Sequence, residues 1–108
     1  MTTSEVLIVL CTCPDDETAG RIAAELVESR LAACVTALPG ITSYYRWQGK
    51  LSTETEVQLL IKTTESAYAG LEPALRKMHP YELPEILAVG VNNGLAPYLD
   101  WIAENTTR

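Results

Sequence analysis

Residues 41–62 read ITSYYRWQGKLSTETEVQLLIK, and no other stretch constrains the fold as strongly. The first half is rich in aromatic and β-branched residues, which favour a strand, and Gly49-Lys50 is typical of a hairpin turn. The returning half changes from alternating to fully apolar, so its far end is predicted to enter the core. This hairpin is longer than a compact domain of 108 residues needs. Because an overhanging ribbon is usually covered by another subunit, we expect an oligomer.

The residues before the hairpin predict a strand, a helix and a second strand. Residues 5–12 are apolar on both alternating faces, as expected of a central strand. Pro14-Asp15-Asp16-Glu17 supplies a capping carboxylate and an acidic first turn, which favour a helix start. Residues 34–38 form a short strand, and Pro39-Gly40 is predicted to bend the chain before the hairpin. The helix stripe predicted to face the sheet consists of Ala19, Ile22, Ala23, Leu26 and Val27.

The residues after the hairpin predict a second helix, a strand and a short terminal helix. Ser66 is predicted to cap the second helix, and Pro73 within it predicts a kink or a late start. Residues 86–91 read ILAVGV, another apolar strand, and Pro97 can open the last helix. The apolar positions that share one face of the second helix are Leu71, Leu75 and Met78.

This order of elements gives two βαβ halves. The right-handed crossover rule then places both main helices on one face of an antiparallel-containing sheet. We predict an α+β fold, namely a ferredoxin-like βαββαβ sandwich with a long β-hairpin and a short C-terminal helix, assembling as a trimer. Because the chain has 108 residues and no linker or low-complexity stretch, residues 1–108 are predicted to form one domain.

The composition narrows the range of partners. A formal charge of −6 and a pI near 4.6 argue against nucleic acids and anionic membranes, which would repel the protein. No apolar run approaches the ~20 residues of a membrane span, and Met1-Thr2-Thr3-Ser4-Glu5 lacks the basic start of a signal peptide. Three cysteines without a disulfide spacing indicate free thiols and a reducing compartment. We expect a cytoplasmic protein.

Cys11, Cys13 and His79 are the residues best suited to metal chemistry. Cys11 and Cys13 share one side of a strand if that strand persists, and two thiolates can hold a soft ion such as Cu(I). The alternative is that both cysteines, and still more Cys34, pack as small hydrophobes, because the further ligands of a closed zinc site are missing. His79, the only histidine, is either a ligand or a turn residue positioned by Pro80.

Catalytic patterns are missing from the sequence, so we predict that the protein is not an enzyme. A Ser-His-Asp arrangement would have to use His79, and no Gly-x-Ser-x-Gly or phosphate-binding glycine loop occurs. An RNA-recognition domain shares the predicted order of elements, but the acidic balance argues against it. An acylphosphatase-like site would require a cationic loop where Asp15 and Asp16 would repel phosphate.

Six segments, in this order, resemble the CutA divalent-cation-tolerance family across almost the whole chain. They are VLCTCPD, LAACV, PGITSYYRWQGK, EVQLLIKTT, HPYELPEI and YLDWI. The resemblance implies a cytoplasmic homotrimer whose long hairpins pack around neighbouring subunits, and a link in bacteria to copper and other divalent metals. The fold of the family is similar to that of the PII signalling proteins, which by analogy implies clefts between subunits for a small ligand.

The resemblance also implies a copper-binding set of Cys11, Met78 and His79. Met78 departs from the family pattern, because bacterial relatives often have histidine there, and a thioether favours Cu(I) over Cu(II) or zinc. Alternatively, Met78 is the last core residue of its helix, three positions after Leu75.

A second group of residues is implied to pair across a subunit boundary. The group consists of Trp47, Glu56, Lys62, Tyr81 and Glu85. The alternative is that Glu56 and Lys62 are solvated while Trp47 and Tyr81 merely pack. Tyr44, Tyr45 and Trp101, with Trp47, are interpreted as interface anchors.

Two functions remain open at this point. The first is a trimeric divalent-cation-tolerance protein that binds copper, as Cu(I) or Cu(II), or other divalent ions. The second is a structural or signalling trimer that binds a small ligand or a protein partner and has no specific metal.

Overall fold

The computed structural model describes residues 5–107, which form four strands and three helices in the predicted order. The strands are β1 (Val6–Cys13), β2 (Cys34–Trp47), β3 (Lys50–Thr64) and β4 (Leu87–Gly90). The helices are α1 (Asp16–Glu28), α2 (Glu65–Met78) and α3 (Ala96–Glu104). No described helix is long and apolar enough to span a membrane.

The four strands form one sheet in the order β2-β3-β1-β4, and every neighbouring pair is antiparallel. The apolar strand β1 is central, as its sequence predicts. The hairpin of β2 and β3 is paired from Trp47 opposite Lys50 to Cys34 opposite Lys62. This topology confirms the predicted ferredoxin-like α+β class with a long hairpin and a short terminal helix.

The two faces of the sheet differ in their cover. On one face, Val9, Leu59 and Ile61 are fully buried in the main core, which also contains residues of α1 and α2. On the other face, α3 covers one end, where Ile102 packs with Val6 and Ala33. The rest of that second face is less covered, and we call it the open face. Its apolar members are Ile8, Leu10, Leu38, Leu60, Leu87 and Val89.

The predicted bend at Pro39-Gly40 is wrong, because β2 runs through both residues as one strand. The pairing with β3 instead shifts between Leu38 and Ile41, which marks a bulge, and Gly40 adopts a φ of +69°. β2 is an edge strand, so a proline without an N–H donor is tolerated there.

The predicted cap of α2 is also wrong. Thr64, rather than Ser66, is the N-cap, and its hydroxyl accepts a hydrogen bond from the Ala67 N–H at 3.3 Å. Thr64 ends β3 in the extended conformation that an N-cap requires. The helix therefore begins one residue before Ser66 and continues through Pro73 to its end.

The start of α1 is confirmed, whereas its predicted stripe is too wide. Asp15 caps the helix by accepting a hydrogen bond from the Thr18 N–H at 2.8 Å, which lowers the pKa of its carboxyl group. Ile22 and Leu26 are fully buried. Val27 is 42% exposed, because it is one position past the buried edge of the helix.

Candidate metal centre

The end of β1 and the end of α2 bring three metal-binding side chains together. β1 continues to Cys13, so Cys11 and Cys13 point to the same side, and both are fully buried. His79 is the C-cap of α2, where its N–H donates to the Leu75 carbonyl at 3.0 Å. One potential ligand atom from each of Cys11, Cys13 and His79 lies within 4.8 Å of the other two. We call these residues the thiol–imidazole cluster.

Both ring nitrogens of His79 have hydrogen-bond partners. Nε2 lies 2.7 Å from the Thr12 carbonyl oxygen, and Nδ1 accepts from the Tyr81 N–H at 3.1 Å. A proton on Nε2 satisfies both contacts, because the carbonyl accepts and the amide donates. These bonds hold the ring against the end of β1, and a metal ion would have to replace one of them.

The two thiols of the cluster differ in acidity. The side-chain hydrogen bond to Cys13, together with burial, raises the pKa of Cys11. The same hydrogen bond lowers the pKa of Cys13, against an opposing effect of burial. A metal ion requires the thiolate form, so Cys13 is the sulfur that would ionise first.

Met78 occupies a different environment from the cluster. It is half-buried and packs against the main core, as its spacing from Leu75 allows. It also lines a shallow depression between α1 and α2, where the Arg21 guanidinium donates to its carbonyl at 3.4 Å. Cys13, which the family resemblance does not include in the copper set, lies with Cys11 and His79 instead.

Four residues of the predicted inter-subunit group line one cleft of about 870 Å³ between the hairpin and residues 81–85. They are Trp47, Glu56, Tyr81 and Glu85. The Tyr81 hydroxyl donates to Glu56 Oε2 at 2.6 Å. Lys62 does not line this cleft, and its ammonium donates to Thr36 Oγ1 at 2.6 Å, beside Cys34 on the open face.

Gln58 links the cleft to the cluster, and sequence reasoning missed it. Its side-chain amide lies 3.2 Å from Glu85 Oε2 and 3.1 Å from the Cys11 carbonyl oxygen, and it donates to both. The alternation of β3 places Gln58 on the same face as Glu56, with Thr12 as its partner on β1. A polar residue in the apolar half of β3 was the available signal.

The Tyr81–Glu56 contact predicts a loss of stability at alkaline pH. Burial and the Glu56 carboxylate raise the pKa of Tyr81, so the unfolded chain releases this proton at a lower pH than the folded protein. The stabilisation is present below the ordinary tyrosine pKa of about 10 and is lost as the pH rises above it. Denaturant unfolding from about pH 8 to pH 12 should show a steeper decline for the parent than for Tyr81→Phe. Equal slopes would contradict this assignment.

The geometry can be compared with known proteins. A family model described as CutA1 divalent ion tolerance protein matches residues 7–105. The chain is 50% identical over 99 residues to the divalent-cation tolerance protein CutA of Thermus thermophilus, covering 92% of this chain and 96% of that protein. CutA from Xylella fastidiosa has a similar structure, with a TM-score of 0.93, 49% identity, and coverage of 96% and 100%. CutA1 from Oryza sativa has a TM-score of 0.95, 37% identity, and coverage of 99% and 98%.

Proposed function

We propose, because this chain belongs to the CutA1 divalent ion tolerance protein family, that it binds a soft metal ion and contributes to metal tolerance. The observation that carries the proposal is the convergence of Cys11, Cys13 and His79 within 4.8 Å. Thiolates favour Cu(I), and imidazole suits copper, so we assign copper as the ion. The family is described by ion tolerance rather than by a reaction, and no catalytic activity is proposed.

The donor set favours Cu(I) over zinc. Structural zinc takes four ligands and, with Zn–S bonds of about 2.3 Å, holds its donors about 3.8 Å apart. Within residues 5–107, the cluster supplies three such groups, spread over as much as 4.8 Å. Two soft sulfurs and one imidazole suit Cu(I) better. Met78 stays outside the proposed set, because its side chain packs against the core.

Loading the cluster has identifiable chemical costs. Both thiols must lose their protons, and the raised pKa of Cys11 opposes the second loss. His79 must also give up one of its two hydrogen bonds. Metal binding should therefore release protons and weaken as the pH falls.

A competition titration tests the copper site. Anaerobic protein would be titrated with Cu(I) in the presence of a chromophoric Cu(I) chelator, and we expect one ion per protomer. Cys13→Ser should weaken binding by at least about tenfold, since even partners that only orient a ligand are worth 10–100-fold. Cys34→Ser is the matched control, because Cys34 lies beside Lys62 on the open face, outside the cluster. Equal affinities for the two variants would refute the site.

We also propose that the protein is a cytoplasmic homotrimer. Support comes from the apolar open face, which α3 covers at one end, and from exposed aromatic and aliphatic residues of the hairpin, including Tyr44, Trp47 and Leu51. Apolar surface of this extent favours burial by another subunit. Three free cysteines suit a reducing compartment.

One observation favours the alternative of a structural or signalling trimer without a specific metal. Cys11 and Cys13 are members of the main core, and both nitrogens of His79 are hydrogen-bonded without any ion. The cluster can thus be satisfied as packing alone. The same titration separates the two functions, because this alternative expects no stoichiometric Cu(I) binding by the parent protein.

A further inference from the structure

The cleft of about 870 Å³ is strongly acidic. Its lining includes one guanidinium group, that of Arg46, against four carboxylates. These carboxylates belong to Glu54, Glu56, Glu82 and Glu85. The pKa values of Tyr45 and Tyr81 are both raised, first by burial and then by nearby glutamates, which include Glu54 and Glu56 in each case. Two phenols on different walls therefore experience the same negative potential, which attracts a cation.

Glu56 is the most deeply placed of these acids. It is only 6% exposed, and the partner of its carboxylate within residues 5–107 is the neutral Tyr81 hydroxyl at 2.6 Å. A buried carboxylate is costly unless a cation compensates its charge. The folded chain thus holds a preformed negative group at the side of an open cleft.

The arrangement of the acids does not suit a single metal ion. Among residues 5–107, the thiol–imidazole cluster is the only group of three or more cysteine, histidine or acidic side chains whose ligand atoms converge. The cleft carboxylates are therefore dispersed along its walls. Aromatic faces of Tyr44, Tyr45, Trp47 and Tyr81 lie between them. Dispersed acids with aromatic surface between them match a long cation whose charges are separated by an apolar chain.

We propose that this cleft binds a linear organic polycation, a chain of methylene groups that carries two or more ammonium groups. One ammonium group pairs with Glu56 and another with Glu85, while the methylene groups lie against the aromatic walls. The volume is within the ordinary range of about 300–1,000 Å³ for small-molecule sites. This site extends beyond the proposed metal function, and its ligand does not contact the buried sulfurs.

A titration with spermidine tests the proposal. Fluorescence of Trp47 in a Trp101→Phe background reports on the cleft, because the chain has two tryptophans. We expect saturable binding of one spermidine per protomer at about 0.15 M salt, where weak surface attraction is screened. Hexamethylenediamine should bind more weakly, hexylamine more weakly still, and hexanediol not at all. This ranking follows the number of ammonium groups and not the apolar chain.

A matched pair of charge-neutralising variants locates the site. Glu56→Gln should weaken spermidine binding by at least about tenfold, because it removes a charge-assisted contact. Glu25→Gln, on the exposed surface of α1, should leave binding unchanged. Cys13→Ser should also leave it unchanged, so failure of the polycation site is distinguishable from failure of the copper site. If light scattering or circular dichroism shows that Glu56→Gln does not fold like the parent, Glu85→Gln replaces it.

Three results would overturn the proposal. The first is the absence of saturable spermidine binding, as expected if a lysine or arginine of a neighbouring copy fills the cleft. The second is equal weakening by Glu56→Gln and Glu25→Gln, which would show only general attraction to a protein of charge −6. The third is equal binding of hexylamine and hexamethylenediamine, which would remove the role of the second ammonium group.

Discussion

Replacing Leu59 with alanine is expected to lower the free energy of unfolding by about 2–5 kcal/mol, the usual cost of emptying a filled leucine site. Leu59 is fully buried in β3 and pairs with Cys11 on the central strand. It belongs to the main core together with Ile22 of α1 and Leu71 of α2, so the cavity would form where the sheet meets both helices.

The matched control lies on the same strand. Leu51 is 76% exposed near the tip of the hairpin, so Leu51→Ala should change stability by less than about 0.5 kcal/mol. Both variants would be unfolded with denaturant at several protein concentrations, because assembly contributes to the stability of an oligomer. A cost for Leu51→Ala equal to that of Leu59→Ala would mean that the hairpin tip is buried as deeply as the core by neighbouring subunits.

The fold was largely predictable because its main signals are local. The apolar run of β1 and the hairpin turn at Gly49-Lys50 depend on residues close in sequence. The bulge after Leu38 was missed because proline was interpreted as a break, and only the position of β2 at the sheet edge makes that proline harmless. The early start of α2 was missed because Thr64 serves both as the last residue of a strand and as a helix cap.

The candidate site was only partly predictable. The two-residue period of a strand places Cys11 and Cys13 on one side, and this prediction is confirmed. The contact of His79 with Thr12 joins residues 67 positions apart and depends on how α2 packs over β1, which no local pattern contains. For Met78, the spacing from Leu75 already allowed the core position that the structure shows.

Changing Val89 to glutamate is expected to break the proposed trimer into smaller species at micromolar concentration. β4 reads as a buried strand in sequence, yet Leu87 is 58% exposed and Val89 is 52% exposed in the described protomer. β4 is an edge strand on the open face, where Val89 pairs with Ile8 of β1. A charge placed there once per subunit would be desolvated without a partner, and such placement in an interface costs several kcal/mol.

Val27→Glu is the matched control, because Val27 is 42% exposed on α1, in the helix layer on the opposite side of the sheet. Light scattering coupled to size exclusion should give a trimer for the parent and for Val27→Glu, and a smaller mass for Val89→Glu. Circular dichroism would establish that each protomer keeps its fold, since Val89 is half-exposed within the protomer and contributes little to its core. A trimer that survives Val89→Glu would place the subunit contacts elsewhere and leave the open face without its proposed cover.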